Sequence, residues 1–202
     1  MKYLSIDLEA TGLREHDLII EFALVPFCTK KGLEDSLART WYIKCPSFET
    51  LRPNLDQWVI EHNEAIIKKA HKSGITLDEL RFKIEEYMNS KDVKKYFSDQ
   101  KEKVILFGKS LNAIDLPFLT RDLGWKFMRE HFHHRVLDLS STANTLVDMD
   151  LIPVECTSGS GLMDYLGMGE VAHTALEDAK NTAIMYLKLI EYLGPLSAQL
   201  KD

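Results

Sequence analysis

The pattern of apolar and polar residues predicts three β-strands in the first 45 residues. Apolar and polar side chains alternate along Tyr3–Glu9, Leu18–Cys28 is rich in Ile, Phe, Leu and Val, and Thr40–Lys44 is aromatic and β-branched. Gly12 and Gly32 fall between them, among polar residues that favour turns. Three strands joined by short turns predict an antiparallel meander.

From about residue 54 the hydrophobic period becomes helical and the charge density rises. One helix is predicted over Leu55–His71, and Gly74 follows its end. A second helix is predicted to begin after Thr76, because Thr76 and Glu79 have the spacing of a capping box. This middle region therefore separates the meander from the rest of the sheet.

The second half of the chain alternates strands with helices. The predicted strands are Lys103–Gly108 and Arg135–Leu139, and the predicted helices are Ala113–Leu123, Ser141–Val147 and Thr174–Tyr192. Residues 157–161 (TSGSG) predict a flexible loop, and Gly194–Pro195 is expected to stop the last helix. The order predicts one α/β domain spanning residues 1–202, with a mixed five-stranded sheet of antiparallel strands 1–3 and parallel strands 4–5, flanked by helices.

Charge and composition narrow the function classes. The chain has 202 residues and a net charge of −6, which argues against a tight, non-specific duplex binder but not against a small site where metal ions neutralise phosphate. No apolar run approaches the roughly 20 residues of a membrane-spanning helix, so no membrane association is expected. Three widely spaced cysteines and a charged N-terminal segment indicate the cytoplasm rather than secretion.

Asp7 and Glu9 lie two residues apart, so they point to the same face of the first predicted strand. The first strand of such a sheet is usually central, and two carboxylates on a covered face repel each other and resist dehydration. A bound cation would resolve both problems. An edge strand with a wet face, on which both acids are simply solvated, is an equally good explanation of the spacing alone.

Asp178 lies off the obvious apolar stripe of the last helix, which consists of Leu176, Ala179, Ala183, Leu187 and Ile190. It is aligned instead with Thr182, Met185 and Leu189, a stripe that becomes apolar further along the helix. Its carboxylate is therefore expected to face protein and to need a partner. Stabilisation of the helix dipole is the commoner role for an aspartate in a first turn.

Asp115 and His173 complete the candidate residues. Asp115 opens the helix that follows the strand ending at Gly108, where an ordinary first-turn acid is the simpler explanation. His173 precedes Asp178 by five residues, and the two side chains converge only if His173 lies in a loop. A histidine in a loop beside carboxylates is suited to accept a proton. Asp138, at the end of the last strand, has weaker claims to such a role.

Three segments together resemble one family. Residues 7–12 (DLEATG) resemble the first motif of the DEDDh group of 3′→5′ exonucleases, the proofreading-subunit-like exonucleases. Residues 108–119 (GKSLNAIDLPFL) are similar to the second motif, and residues 173–179 (HTALEDA) match the third, with histidine five residues before aspartate. The chain departs from the family at Ser110 and Ile114, where asparagine and an aromatic residue are common.

The resemblance implies an RNase H-like fold and a set of residue roles. Asp7, Glu9 and Asp178 would hold one divalent ion, and Asp7 would bridge to a second ion that Asp115 helps to bind. His173 would take the proton from the attacking water. The ions would be Mg²⁺ or Mn²⁺, which prefer such hard oxygen ligands.

The resemblance also implies contacts to substrate. Thr11 and Gly12 would offer backbone groups to the terminal 3′-hydroxyl, and Leu13 would pack against the last base. Trp58 and His62 lie four residues apart on the helix predicted over Leu55–His71, and they resemble residues that approach the substrate in relatives. Packing of an amphipathic helix explains Trp58 at least as well.

The favoured function is hydrolysis of nucleotides from a free 3′ end of single-stranded DNA, RNA or short oligonucleotides. A non-catalytic nucleic-acid-binding scaffold is the alternative, and a phosphotransferase or phosphatase with Asp7 as its nucleophile is a third reading. The chain carries no polymerase, so proofreading would need a polymerase or repair partner. Whether it forms a homodimer, whether it prefers DNA or RNA, and what the cluster His131, His133 and His134 does are left open.

Overall fold

A computed structural model of the chain describes residues 1–169 and 173–199, except for the side chains of residues 195–199. The strands are β1 (Lys2–Ala10), β2 (Ile19–Cys28), β3 (Gly32–Leu33), β4 (Arg39–Tyr42), β5 (Val104–Gly108) and β6 (Phe132–Asp138). The helices are α1 (Phe48–Leu51), α2 (Gln57–Ser73), α3 (Leu77–Asn89), α4 (Lys91–Tyr96), α5 (Asp115–Leu123), α6 (Trp125–His131), α7 (Leu139–Asp148), α8 (Gly159–Tyr165) and α9 (Ala175–Gln199). In this described part no helix is long and apolar enough to cross a bilayer.

The strands form one mixed sheet in the order β3-β2-β1-β5-β6, with β4 also paired to β2. β1 is antiparallel to β2 and parallel to β5, and β5 is parallel to β6. The predicted mixed sheet flanked by helices is therefore confirmed. It has six strands rather than five, because the turn after β2 folds back and Leu33 pairs with Phe27.

The two faces of β1 pack against different helices. Leu4, Ile6 and Leu8 lie in one hydrophobic cluster with Leu80 and Ile84 of α3. The opposite face carries an aromatic group, in which the Tyr3 and Phe27 ring centroids are 5.4 Å apart and Tyr186 of α9 completes the set. Both faces of β1 are thus covered, and burial of each large apolar side chain contributes about 1.5–3 kcal/mol. The side chains at odd positions of β1 face α9.

The capping box predicted before α3 is present. The Thr76 hydroxyl accepts a hydrogen bond from the Glu79 amide at 3.2 Å, and Glu79 Oε2 accepts one from the Thr76 amide at 2.7 Å. These two bonds satisfy amides that would otherwise have no partner in the first turn. The local signal therefore located the start of α3 correctly.

Two local predictions near the C-terminal half were wrong. Residues 157–161 are not a flexible loop, because Ser158 accepts a hydrogen bond from the Gly161 amide at 3.0 Å and α8 begins at Gly159. Buried Leu162 then anchors this helix to the core. Gly194 and Pro195 do not stop α9, which continues to Gln199. A proline costs a helix one hydrogen bond but has a helical φ, so it does not by itself end a helix.

Candidate active site

β1 and α9 bring three carboxylates together. Asp7 and Glu9 lie near the carboxyl end of β1 on the face that α9 covers, and the Ser5 hydroxyl donates to the Ala179 carbonyl at 2.7 Å. That bond fixes the first turns of α9 against β1. As a result, Asp7, Glu9 and Asp178 offer carboxylate oxygens that all lie within 4.8 Å of one another.

The orientation of α9 differs in part from the predicted stripe. Ala179 and Ala183 are buried as expected, but Ile190 is 36% exposed. The deeply buried positions further along the helix are instead Thr182, Met185 and Leu189. Asp178 stands at the head of this stripe and is half-buried, and Met185 and Leu189 pack in the cluster that contains Tyr3 and Phe27.

Asp115 is the fourth acid at this end of the sheet. It is the first residue of α5, which follows β5, and it is only 4% exposed. Because β5 lies parallel beside β1, the segment after its carboxyl end reaches the end of β1 where Asp7 is located. The wet edge strand considered for Asp7 and Glu9 is excluded, since β1 lies between β2 and β5.

Burial, and after it the repulsion between neighbouring carboxylates, raises the pKa values of these acids. Burial raises the pKa of Asp7 well above the usual aspartate value, and three carboxylates raise it further: Asp115, Asp178 and Glu9. Burial and the charge of Asp178 raise the pKa of Glu9 to about 7. Burial also raises the pKa of Asp115 to about 7 and shifts the pKa of Asp178 upwards.

The donor set fits a hard divalent cation. All the converging ligand atoms are carboxylate oxygens, the type that Mg²⁺ and Mn²⁺ prefer, and no cysteine belongs to the group. A cation between Asp7, Glu9 and Asp178 would compensate the repulsion that raises their pKa values. These three residues could hold one such ion, and Asp115 is close enough to Asp7 to influence its charge.

The raised pKa values predict how the stability of the metal-free protein depends on pH. Folded Glu9 and Asp115 bind protons more tightly than in the unfolded chain, where carboxyl pKa values are about 4. Stability should therefore fall as the pH rises from about 4 to about 7. Thermal unfolding in EDTA should give a lower Tm at about pH 8 than at about pH 5, and Mg²⁺ should raise the Tm chiefly at the higher pH. A Tm in EDTA that rises with pH would contradict this expectation.

Glu21 was not identified from the sequence. It lies on β2 opposite Glu9, is buried, and accepts hydrogen bonds from the Ala175 amide at 3.1 Å and from the Thr40 hydroxyl at 3.1 Å. The Ala175 bond holds the N-terminus of α9, the helix that carries Asp178. A polar residue inside an otherwise apolar strand, residues 19–28, was the signal that could have found it.

Asn63 is a second residue whose contact with the acids only the structure reveals. It projects from α2, is 1% exposed, and donates through Nδ2 to Glu9 Oε2 at 3.2 Å and to the Ala10 carbonyl at 3.1 Å. Its hydrogen bond lowers the pKa of Glu9, opposing the effect of burial. Asn63 occupies the buried stripe of α2 between Val59 and Ile66, and a polar residue at such a position is the available sequence signal.

Asp138 has a structural environment. Its Oδ2 accepts from the Leu111 amide at 2.6 Å, and its Oδ1 accepts from the Ser141 amide at 3.0 Å. It therefore caps α7 and holds the turn after β5. The histidines His131, His133 and His134 lie around the start of β6, at the opposite end of that strand from Asp138.

His173, Trp58 and His62 lie together beside the acids. The Trp58 and His62 rings stack with centroids 4.4 Å apart, and the His173 ring meets the His62 ring edge-on at 5.7 Å. The positive form of His173 lowers the pKa of Asp178, against the larger effect of burial. Trp58 is 53% exposed, so helix packing does not account for it. The three rings therefore form one group, and His173 connects it to Asp178.

The loop after β1 is held by its own side chains. The Thr11 hydroxyl donates to Asp17 Oδ1 at 3.2 Å and accepts from the Leu18 amide at 2.9 Å. The Thr11 amide donates to the Leu18 carbonyl, so it is not free for a terminal hydroxyl as the motif implied. A Cβ on Gly12 would lie 2.4 Å from Asp17 Oδ2, which explains the glycine. Leu13 is 73% exposed at the tip.

Comparison with known proteins finds no matching family model and no matching curated protein sequence. Solved structures are similar. The nuclease domain of 3′hExo, a DEDDh family member bound to rAMP, is 19% identical, with a TM-score of 0.64 over 94% of this chain and 92% of that one. Cell-death related nuclease 4 (CRN-4) is 16% identical, with a TM-score of 0.66 over 94% of this chain and 64% of that one.

E. coli Exonuclease I in complex with a dT13 oligonucleotide is 14% identical, with a TM-score of 0.66 over 98% of this chain and 43% of that one. The chain thus spans less than half of the length of Exonuclease I and somewhat under two thirds of CRN-4. These likenesses confirm the predicted RNase H-like architecture. The chain therefore has the fold of these 3′ exonuclease domains over 94–98% of its length.

Proposed function

We propose that the chain is a metal-dependent 3′→5′ exonuclease that removes nucleoside monophosphates from the 3′ end of single-stranded DNA, RNA or short oligonucleotides. The observation that carries this proposal is the convergence of Asp7, Glu9 and Asp178, with Asp115 beside them, from three separate parts of the chain. A non-catalytic scaffold gains nothing from clustered like charges, whose repulsion destabilises the fold.

The four carboxylates could supply ligands for two metal ions, with Asp7 shared between them. Asp7, Glu9 and Asp178 would hold one ion, and Asp7 with Asp115 would hold the second, directly or through water. Two such ions, Mg²⁺ or Mn²⁺, would activate a water on one side of the phosphate and neutralise the leaving oxygen on the other. Asn63 favours the ionised form of Glu9, against the larger effect of burial, and its Nδ2 hydrogen bond orients the carboxylate.

His173 is the proposed proton acceptor. Its side chain is exposed and lies next to Asp178, so it reaches both the solvent and the acidic cluster. The edge-on contacts with His62 and Trp58 restrict the orientation of its ring. A histidine in this position can take a proton from an attacking water and release it to solvent.

The substrate is proposed to enter beside the exposed apolar groups of the site. Leu13 and Trp58 present the large exposed apolar side chains here, and bases stack on such surfaces irrespective of sequence. The acidic net charge favours binding of a short single-stranded end over a long duplex. Among the similar structures, one 3′-exonuclease recognises a histone mRNA stem-loop and another nuclease holds dT13, which supports a nucleic-acid substrate.

The direct test uses oligonucleotides labelled at the 3′ or the 5′ end, with Mg²⁺, Mn²⁺ or EDTA. We expect immediate release of the 3′ label as a nucleoside monophosphate, stepwise shortening of the 5′-labelled strand, and no reaction in EDTA. Retarded but intact oligonucleotide would instead support the scaffold, and release of terminal phosphate alone would support a phosphatase. A cytoplasmic location, a polymerase or repair partner and a homodimer stay predictions.

Replacement of Trp58 by alanine should raise KM and should lower kcat to a smaller extent, since Trp58 also contacts the ring of His173. Loss of one base-stacking surface corresponds to about 1–3 kcal/mol, or roughly a 5- to 150-fold higher KM. Trp125→Ala is the matched control, because Trp125 is 66% exposed and lies on α6 rather than at the carboxylate cluster. Equal KM values for the two variants would remove Trp58 from substrate binding.

A further inference from the structure

Lys109 is a cation at the carboxylate cluster that the proposed roles leave unused. It directly follows β5, whose carboxyl end lies beside the end of β1. Its positive charge lowers the pKa of both Asp7 and Asp178, against the larger effect of burial. Within the described residues its ammonium group forms no ion pair and no hydrogen bond.

The exposed side chain of Lys109 passes close to Gly159. A Cβ on Gly159 would lie 2.6 Å from Lys109 Nζ, 3.3 Å from its Cδ and 3.4 Å from its Cε. The distal half of the lysine therefore lies across the backbone at the start of α8, where any side chain larger than hydrogen would displace it. A side chain added at position 159 would therefore change where the ammonium group lies, which makes Gly159 a means of testing the position of Lys109.

The backbone conformation of Ser110 shapes the turn that contains Lys109. Ser110 has a φ of 56°, a left-handed conformation that a non-glycine residue adopts at a cost, and its hydroxyl lies 2.9 Å from the Ser140 hydroxyl. The amide of the next residue, Leu111, is held by Asp138. The turn after β5 is therefore fixed on both sides, and Lys109 is presented from a rigid backbone.

We propose that Lys109 binds a non-bridging oxygen of the scissile phosphate. After hydrolysis this phosphate is the 5′-phosphate of the released nucleoside monophosphate. This inference rests on the proposed exonuclease function and adds a substrate-binding residue to it. The four negative charges of the ionised carboxylates would be neutralised by the four positive charges of two divalent ions. The positive charge of Lys109 would then remain to interact with the incoming phosphate. An ammonium group is a compact phosphate ligand and does not compete with oxygen ligands for the metal.

The first test compares Lys109→Met, which keeps the length of the stem, with Lys30→Met as a control. Lys30 follows β2, at the opposite end of the sheet from Asp7. Lys109→Met should lower kcat/KM about 10- to 100-fold, as expected for a hydrogen bond to a charged group, while Lys30→Met leaves it unchanged. Lys109→Arg should recover part of the loss. Full activity of Lys109→Met would overturn the proposal.

The second test measures binding without turnover. Calorimetry with Mg²⁺ should show that Lys109→Met binds AMP about tenfold or more weakly than the wild type, while binding of adenosine is the same in both proteins. An equal loss of AMP and adenosine binding would mean that the variant disturbs the site generally, and would overturn the proposed phosphate contact. Mg²⁺ binding alone should be unchanged or slightly tighter, because a neighbouring positive charge is removed.

The third test is a double-mutant cycle with Gly159→Ala. The added methyl group must displace the lysine end, and alanine is otherwise favourable in a helix, so the protein should remain folded. We expect Gly159→Ala to lower kcat/KM several-fold in the wild type and not at all in Lys109→Met. Equal losses in both backgrounds would show that Gly159 acts independently of Lys109, which would overturn its positioning by this contact.

These outcomes separate the inference from the proposed function. A wild-type protein that does not shorten oligonucleotides at all refutes the exonuclease proposal. A wild-type protein that is active, and whose Lys109→Met variant is equally active and binds AMP equally well, refutes only the role of Lys109.

Discussion

Asp7→Asn is expected to lower exonuclease activity by about 10³-fold or more, while the metal-free protein stays as stable as the wild type or becomes more stable. Asparagine keeps the shape of the side chain but removes the charge that Asp115, Asp178 and Glu9 all oppose. The variant therefore loses a proposed bridging ligand and, in EDTA, loses repulsion at the same time. Activity assays together with thermal unfolding in EDTA and in Mg²⁺ measure both effects.

Asp138→Asn is the matched control for this prediction. Asp138 is also a buried strand-end acid near the cluster, and its charge raises the pKa of Asp115. Its oxygens, however, accept the amides of Leu111 and Ser141. We expect Asp138→Asn to lower stability by about 1–3 kcal/mol with or without metal, the opposite of Asp7→Asn. If Asp7→Asn also unfolded readily in EDTA, Asp7 would be a structural acid.

His173→Ala is expected to lower kcat about 10²- to 10⁴-fold while divalent ions still bind. The four acids are unchanged in this variant, so a metal titration followed by calorimetry or by the rise in Tm should resemble that of the wild type. The loss would appear mainly in kcat, because the histidine is proposed to act on the attacking water and not on the nucleotide.

His62→Ala provides the comparison for His173→Ala. His62 belongs to the same group of rings, since it stacks on Trp58 and contacts His173. Its Nδ1 is within hydrogen-bonding distance, 2.8 Å, of the Trp58 carbonyl. We expect a much smaller fall in kcat than for His173→Ala. Unchanged turnover in His173→Ala would remove this residue from the role of proton acceptor.

The positions of Asp7 and Glu9 were predictable because strand alternation is a local property. Side chains two residues apart on a strand share a face whatever the rest of the chain does. The capping box at Thr76 was predictable for the same reason, since its hydrogen bonds join residues three apart. For Asp178 the pattern indicated protein contact, but the buried stripe around Met185 and Leu189 was decided by packing on β1 and β2.

Long-range contacts could not be read in this way. Glu21 holds the Ala175 amide across 154 positions of sequence, and Asn63 reaches Glu9 across 54. No periodic pattern in the sequence predicts the contact partners of Glu21 or Asn63. The mistaken loop at residues 157–161 has a related cause, because Leu162 of α8 is stabilised by a hydrophobic cluster assembled from distant segments.

The sequence alone established the order and chemical type of the acids, the alternation of side chains along β1, and the three motifs. These features were sufficient to indicate an acidic metal site on an α/β fold. The tertiary structure determined which carboxylates lie within 4.8 Å of one another, which acid is structural, and where the ammonium group of Lys109 lies. These distances depend on the order of the strands in the sheet and on how α9 packs against it. Distances between such groups are decided by how separate elements pack, because side-chain repulsion and burial act through space rather than along the chain.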